Sequence, residues 1–379
     1  GAGKFSDTTA MTIESGGIFD LNQKNRTIGS LSGSGTVDLD SGTLTTGSNN
    51  ANTTFSGVIS GSGGLAKAGT GTFTLSSANT YTGATNINNG TLQFTGAGEL
   101  ADATATTISS NGTLDLNDIS QTIGSLGGSG NVSLGTATLT TGGNDSDTLF
   151  SGVISGSGGL TKTGTGSLTL SGANTYDGTT TISDGKIIAR NNTALGATSG
   201  DTTVGASGTL ELQNDITIGS GESLANSGNL LNAQDDNTYA GVISGTGTTT
   251  VTGGSLTLSG ANTYTGTTTI SGGILQLDAS NVIADTSDIV IGASGKLQFD
   301  WGTWSDTVGS LSGSGDIDLR GSTLTTNTSD NTEFSGSIAG WGVLRKDGTG
   351  DLTLSGASTY GGKTYIDGGT IIAANDDAL

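Results

Sequence analysis

Phe150-Ser-Gly-Val-Ile-Ser-Gly156 decides the fold, because the chain writes it four times. It returns as Phe55-Ser-Gly-Val-Ile-Ser-Gly61, Tyr239-Ala-Gly-Val-Ile-Ser-Gly245 and Phe334-Ser-Gly-Ser-Ile-Ala-Gly340, at offsets of 95, 89 and 95 residues. A second marker, Thr27-Ile-Gly-Ser-Leu31, recurs at Thr122, Thr217 and Thr307, at offsets of 95, 95 and 90. Repeats that cannot bury a core alone must stack on one another. The markers divide the chain into residues 1–95, 96–190, a shortened 191–279 and 280–374, with 375–379 opening a further unit.

Around these markers the apolar residues alternate with polar ones. Leu114-Asp-Leu116, Val132-Ser-Leu134, Leu168-Thr-Leu170, Leu256-Thr-Leu258, Leu275-Gln-Leu277 and Leu352-Thr-Leu354 place apolar pairs on one face of short strands. Clusters such as Ser171-Gly-Ala-Asn-Thr175 and Ser271-Gly-Gly273 supply turns between them. No stretch keeps a helical period. In the second copy the apolar pairs begin near Leu114, Val132, Val153, Leu168 and Ile187, gaps of 15 to 21 residues that suit one coil of a solenoid. The expectation is an all-β parallel β-helix of roughly 19–20 coils, three short strands per coil and almost no helix. At a strand spacing of about 4.8 Å it would be a rod on the order of 90 to 100 Å long.

Composition agrees. The chain has 69 Gly and no Pro in 379 residues, where average usage would give about 26 and roughly 19. A chain without Pro can donate a backbone hydrogen bond at nearly every strand position. Cysteine and histidine are both absent, which excludes disulfides, Ser-His-Asp and Cys-His nucleophilic sites, and zinc catalysis in its usual forms. The net charge of -21, from 33 acidic and 12 basic residues, disfavours nucleic acid and anionic membranes as partners.

Gly158-Gly-Leu-Thr-Lys-Thr-Gly-Thr-Gly-Ser-Leu-Thr-Leu-Ser-Gly-Ala-Asn-Thr-Tyr-Asp-Gly-Thr-Thr-Thr-Ile-Ser-Asp-Gly185 resembles the passenger-associated transport repeat of bacterial type V autotransporters. Related copies start at Gly63, at Gly247 in shortened form, and at Trp341. The resemblance implies a right-handed β-helix displayed outside a Gram-negative outer membrane, with the repeat assisting secretion and folding. Residues 1–20 show no basic region followed by an apolar stretch, and Asn375-Asp-Asp-Ala-Leu379 matches Asn191-Asn-Thr-Ala-Leu195. The expectation is therefore a segment of a longer array.

Within the copies, Tyr81, Tyr176, Tyr264 and Tyr360, and Phe55, Phe150, Tyr239 and Phe334, recur at fixed points and are expected to pack inside their own unit. The recurring Lys67, Lys162 and Lys346 are expected to be solvated or paired with a nearby acid. A polysaccharide-cleaving site would need carboxylates such as Asp316, Asp318 and Glu333 to converge with Arg320, Arg345 and Lys346. Alternating strands produce such proximity by chance, so no enzyme is expected. Gly313-Ser-Gly-Asp316 and Gly348-Thr-Gly-Asp351 hold part of a calcium-loop pattern without its tandem nonapeptide, and turn chemistry explains these Asp residues more simply. No cofactor is expected.

Function is expected where the copies differ, since binding sits on loops held by a rigid scaffold. All three Trp, Trp301, Trp304 and Trp341, fall in the fourth copy. With Arg320 and Arg345 they would form an aromatic contact for a glycan or protein, or else plug a local widening of the solenoid. The functional expectation is an adhesin segment or its stalk, meeting a host matrix protein, a surface glycan or another rod. A structural spacer is the alternative.

Overall fold

Described over Ser6–Leu379, the computed structural model is all-β: no helix occurs among the described residues. Gly1–Phe5, with which the first copy begins, lie outside the described residues. Among the described residues the strands pair in parallel, and partners lie 18 to 22 residues apart, from Gln121↔Leu139 to Val132↔Ile154. One turn of a β-solenoid thus takes about 20 residues, giving about 18 turns. Two compact bodies result, one of Gly1–Ile187 with Thr193–Gly200, the other of Ile188–Asn192 with Asp201–Leu379.

In the first body, register stacks like on like. Leu92 pairs with Leu114, Leu114 with Val132 and Val132 with Ile154, all fully buried. In the second, Leu256, Leu275, Leu297, Ile317 and Ile338 form the same kind of column. Each such side chain contributes about 1.5–3 kcal/mol by leaving water. The repeated Phe-Ser-Gly-Val-Ile is one residue out of phase with the sequence reading of Val153. Ile59, Ile154 and Ile243 point inward, whereas Val58 and Val242 are exposed and Val153 is half-buried.

Turns of three short strands, such as Ser125–Gly128, Asn131–Ser133 and Leu139–Thr141, share the solenoid with longer strands that bend across two faces. Thr268–Leu277 pairs through Thr268–Ile270 with Thr249–Val251 and through Ile274–Leu277 with Ser255–Leu258. The Gly272-Gly273 corner makes that bend possible, and Gly273 takes a φ of 71°. Where the chain turns past a ring, glycine is also required by space. A Cβ on Gly152 would lie 1.6 Å from the Gly130 carbonyl oxygen and 2.9 Å from Phe150 Cζ.

The recurring aromatics are buried as expected. Tyr81, Tyr176, Tyr264 and Tyr360 each also hydrogen-bond the Thr four residues on, with Oη–Oγ1 distances of 2.6 Å at Tyr81–Thr85 and 2.7 Å at Tyr264–Thr268. The lysines overturn the expectation of solvation or acid pairing. Lys67, Lys162 and Lys346 are 1%, 1% and 0% exposed. Lys67 Nζ donates to the carbonyls of Ala68, Gly69 and Asn89 at 2.6, 2.8 and 3.1 Å. Lys162 donates to Thr163 and Gly164, and Lys346 to Gly348. The reason lies in the loop that follows. Lys162-Thr-Gly-Thr-Gly166 curls its carbonyls inward, and an ammonium is the donor that reaches them. Burial pulls the Lys67 ammonium down to about 8.

Candidate functional site

The strand Asp316–Asp318 alternates outward Asp316, inward Ile317 and half-exposed Asp318, and the chain then turns at Leu319-Arg320-Gly321. Arg320 closes that turn with φ 47°, in the left-handed region that residues other than Gly, Asn and Asp rarely occupy. Its N–H donates to Asp318 Oδ1 at 3.1 Å, and its carbonyl accepts the Trp341 N–H at 2.5 Å from the next turn. The first copy builds the same corner with Asp40, φ 49°, whose N–H meets Asp38 Oδ1 at 2.9 Å and whose carbonyl accepts Ser62 N–H at 2.5 Å. In the second copy Gly135, φ 61°, accepts from Ser157. The corner is thus a repeated backbone frame with a variable lining.

In the fourth copy that lining is aromatic and cationic. Trp301, Arg320 and Trp341 sit on successive turns and line a groove of about 380 Å³ with Asp318, Ala339, Gly340 and Thr359. The Arg320 guanidinium lies 4.6 Å from the centroid of Trp301 and holds Asp300 Oδ1 through Nη1 at 2.9 Å. Behind Asp300, Asp278 has its carboxyl raised by burial and by sharing a hydrogen bond with Asp300. Trp301 and Trp341 are 72% and 73% exposed, so both indoles face solvent. The Trp341 ring leans over Gly361, where a Cβ would approach it to 3.3 Å. The matching groove of the first copy, of about 360 Å³, is lined by Gln23, Asp38, Asp40, Ser41, Gly61 and Ser62. Its acids repel one another: Asp40 is raised by burial and then by Asp20 and Asp38.

Two of the five residues singled out from sequence go elsewhere. Trp304 is half-buried, its indole packed on Gly302 and its Nε1–H buried without a partner. It fills the loop that carries it. Arg345 lies on the strand Val343–Lys346, bound to Asp347 at 2.9 Å and Asp367 at 3.0 Å, with the Tyr365 ring 5.9 Å away. The carboxylates considered for catalysis take separate partners: Asp316 accepts from Ser337, Asp318 pairs with Lys296 at 3.2 Å, and Glu333 accepts from Ser355. Among the described residues no group of three or more Asp or Glu side chains is arranged to hold a metal ion. The sequence carried one signal for the groove that went unread: Trp341 stands between two glycines where the other copies have Ser62, Ser157 and Thr246.

The passenger-associated transport repeat matches residues 65–94, 160–189, 253–277 and 344–373. Trp301, Arg320 and Trp341 lie outside all four stretches, whereas Lys67, Lys162 and Lys346 lie inside three of them. The third stretch begins at 253, just past Val251, which stands where the others have Lys. Over 139 residues the chain is 40% identical to the adhesin BmaC autotransporter of Brucella suis biovar 1 (strain 1330), a match spanning 35% of this chain and 4% of that protein. No solved structure matches. Among the described residues no helix is long and apolar enough to cross a membrane. The chain thus carries four passenger-associated transport repeats on a parallel β-solenoid and is similar, over about a third of its length, to an autotransporter adhesin.

Proposed function

We propose that this chain is a non-enzymatic adhesive segment, displayed on the surface of a Gram-negative cell, whose ligand contact is the Trp301–Arg320–Trp341 groove. We propose with it that the chain is organised as four units ending at residues 95, 190, 279 and 374. The observation that carries the reading is the contrast between the grooves. Two large indoles and a guanidinium line the fourth-copy groove, where Gln23, Asp40 and Ser62 line the first, and the Arg320 corner keeps the backbone bonds of the Asp40 corner. Two exposed tryptophans lining one groove place unfavourable apolar surface in water, which favours a partner that covers it. The relative with 40% identity is named as an adhesin. A spacer has no use for this lining, and a rigid corner presenting it suits contact with a host surface or a neighbouring cell.

Adhesion of cells displaying the chain, or of beads coated with it, to host matrix proteins and epithelial surfaces tests this. The Trp301→Ala, Trp341→Ala double variant is expected to lose most of the attachment, while Trp304→Phe keeps it. Equal attachment by the double variant and the parent would remove the groove from the reading and leave the spacer function in its place.

A further inference from the structure

Resting on that reading, we infer that the groove takes a neutral oligosaccharide, laid across Trp301 and Trp341 and hydrogen-bonded by Arg320 and Asp318. Three features of the lining select this class. The first is charge balance. Arg320 is compensated by Asp300 at 2.9 Å, Asp318 also lines the groove, and the chain carries -21 overall. An anionic sugar therefore approaches a chain of strongly negative net charge and finds Arg320 already paired with Asp300 and Lys296 already paired with Asp318. A cationic peptide meets the guanidinium itself, which already covers the Trp301 ring at 4.6 Å. A neutral, hydroxyl-rich ligand meets neither penalty.

Shape is the second feature. Trp301 and Trp341 are two turns apart, so their backbones are separated by roughly 10 Å along the stacking direction at about 4.8 Å per turn. That is the span of a short run of sugar rings. A volume of about 380 Å³ lies near the small end of ligand pockets, which run from about 300 to 1,000 Å³. Indole faces stack on the C–H faces of pyranose rings, while the guanidinium N–H groups not used by Asp300 and the exposed Thr359 hydroxyl can reach ring hydroxyls.

The third is backbone strain. Arg320 occupies the left-handed region where the first copy has Asp40 and the second Gly135, residue types that adopt it more readily than Arg. Strain kept at a variable position is a mark of a binding site.

The chain contains its own reporter, because all three tryptophans belong to the fourth copy. Indole emission would be followed while the whole chain is titrated with maltotriose, cellotriose and tri-N-acetylchitotriose. Sialyllactose, a heparin hexasaccharide and a lysine-rich peptide serve as charged counterparts, and a printed glycan array widens the neutral set. The expected result is saturable binding of neutral sugars with little dependence on salt, weakened at least tenfold in Trp341→Ala and in Arg320→Gly. Binding of the anionic sugars or the basic peptide in preference to every neutral glycan overturns the inference, as does the absence of any neutral ligand on the array. If neutral glycans fail but the Trp301→Ala, Trp341→Ala variant still abolishes attachment, only the ligand class is wrong. If attachment also survives, the adhesive reading of the groove fails with it.

Discussion

Asn174 Oδ1 accepts the backbone N–H of Ile154, one turn earlier, at 2.9 Å, and its Nδ2 donates to the Ala194 carbonyl, one turn later, at 2.7 Å. One buried amide thereby ties three turns together where the ladder of strands is interrupted. Asn79 does the same between Ile59 and Glu99, and Asn262 between Ile243 and Val282. In the fourth copy Ser358 takes the place of Asn and reaches the Ile338 N–H at 3.3 Å. Asn174→Leu keeps the branched skeleton but strands a buried donor and a buried acceptor, so a loss of roughly 2–4 kcal/mol is expected. Asn174→Ser should lose about half as much, because a hydroxyl still serves the Ile154 N–H. Urea denaturation of the two variants measures the order.

Lysine burial couples to loop length. Lys67, Lys162 and Lys346 each precede a loop such as Thr163-Gly-Thr-Gly166, whereas Val251 precedes Thr252-Gly-Gly254, one residue shorter. The shorter loop pairs with an apolar side chain, buried like the lysines. Lys162→Met should destabilise by about 2–3 kcal/mol, since the Thr163 and Gly164 carbonyls lose their donor. Lys162→Val combined with deletion of Thr165 recreates the third copy and should recover more than half of that loss. Thermal melts of the parent, the single changes and the combination form the cycle that measures the coupling. Additive losses would sink it.

These two devices mark what the sequence made legible and what it did not. Alternation in Leu168-Thr-Leu170 and the fourfold spacing carry the solenoid, because a period of two and a fixed offset are one-dimensional signals. Tyr176 is readable as core for the same reason. Lys162 is not, because nothing in a sequence reports that the Thr163 and Gly164 carbonyls of a Gly-rich loop will converge on its ammonium. Val153 misled by one position: in Val-Ile both residues are apolar, and only the register of the neighbouring turn selects Ile154 for the interior. The groove was half visible. The three Trp stood out by their confinement to one copy, but which of them faces solvent depends on turn geometry. Arg345, drawn away by Asp347 and Asp367, belongs to a different turn and strand.

Two buried carboxyls make stability depend on pH. Asp306 is 1% exposed and accepts the N–H groups of Val282 at 2.6 Å and Ile283 at 3.2 Å, yet burial pushes it up to about 7, with Asp285 adding a smaller repulsion. Glu222 is also pushed to about 7, by burial and then by Asp201, against the Thr202 hydroxyl bond at 2.6 Å. Both folded values lie above the unfolded ones near 4. The folded state therefore binds more protons between about pH 4 and 7, so this contribution is present below that window and is lost as pH rises through 7. The chain should be more stable at pH 5 than at pH 8 by roughly 3 kcal/mol. Asp306→Asn, which places a neutral amide where the second copy has Gln121, should remove about half of the difference, and adding Glu222→Gln most of the rest. Guanidinium unfolding at the two pH values is the measurement, and a pH-independent parent would contradict it.

Arg320→Gly separates stability from recognition. The substitution puts glycine at φ 47°, where Gly135 already serves the second copy, and relieves about 1 kcal/mol of left-handed strain. It also removes the ion pair to Asp300, whose partly exposed geometry contributes about 0–1 kcal/mol. The two effects oppose each other, so the melting temperature should barely move. The indole of Trp301, by contrast, loses the guanidinium that covers one face, and the groove loses its donors. Emission from the three tryptophans should shift in the free protein, and attachment through the groove should fall at least tenfold. Arg320→Lys distinguishes charge from shape. An ammonium restores the cation but neither the flat stack on Trp301 nor the fork of donors, so Lys should behave like Gly in binding while keeping the backbone strain. A Lys variant that binds like the parent would mean that Arg320 acts through its charge alone.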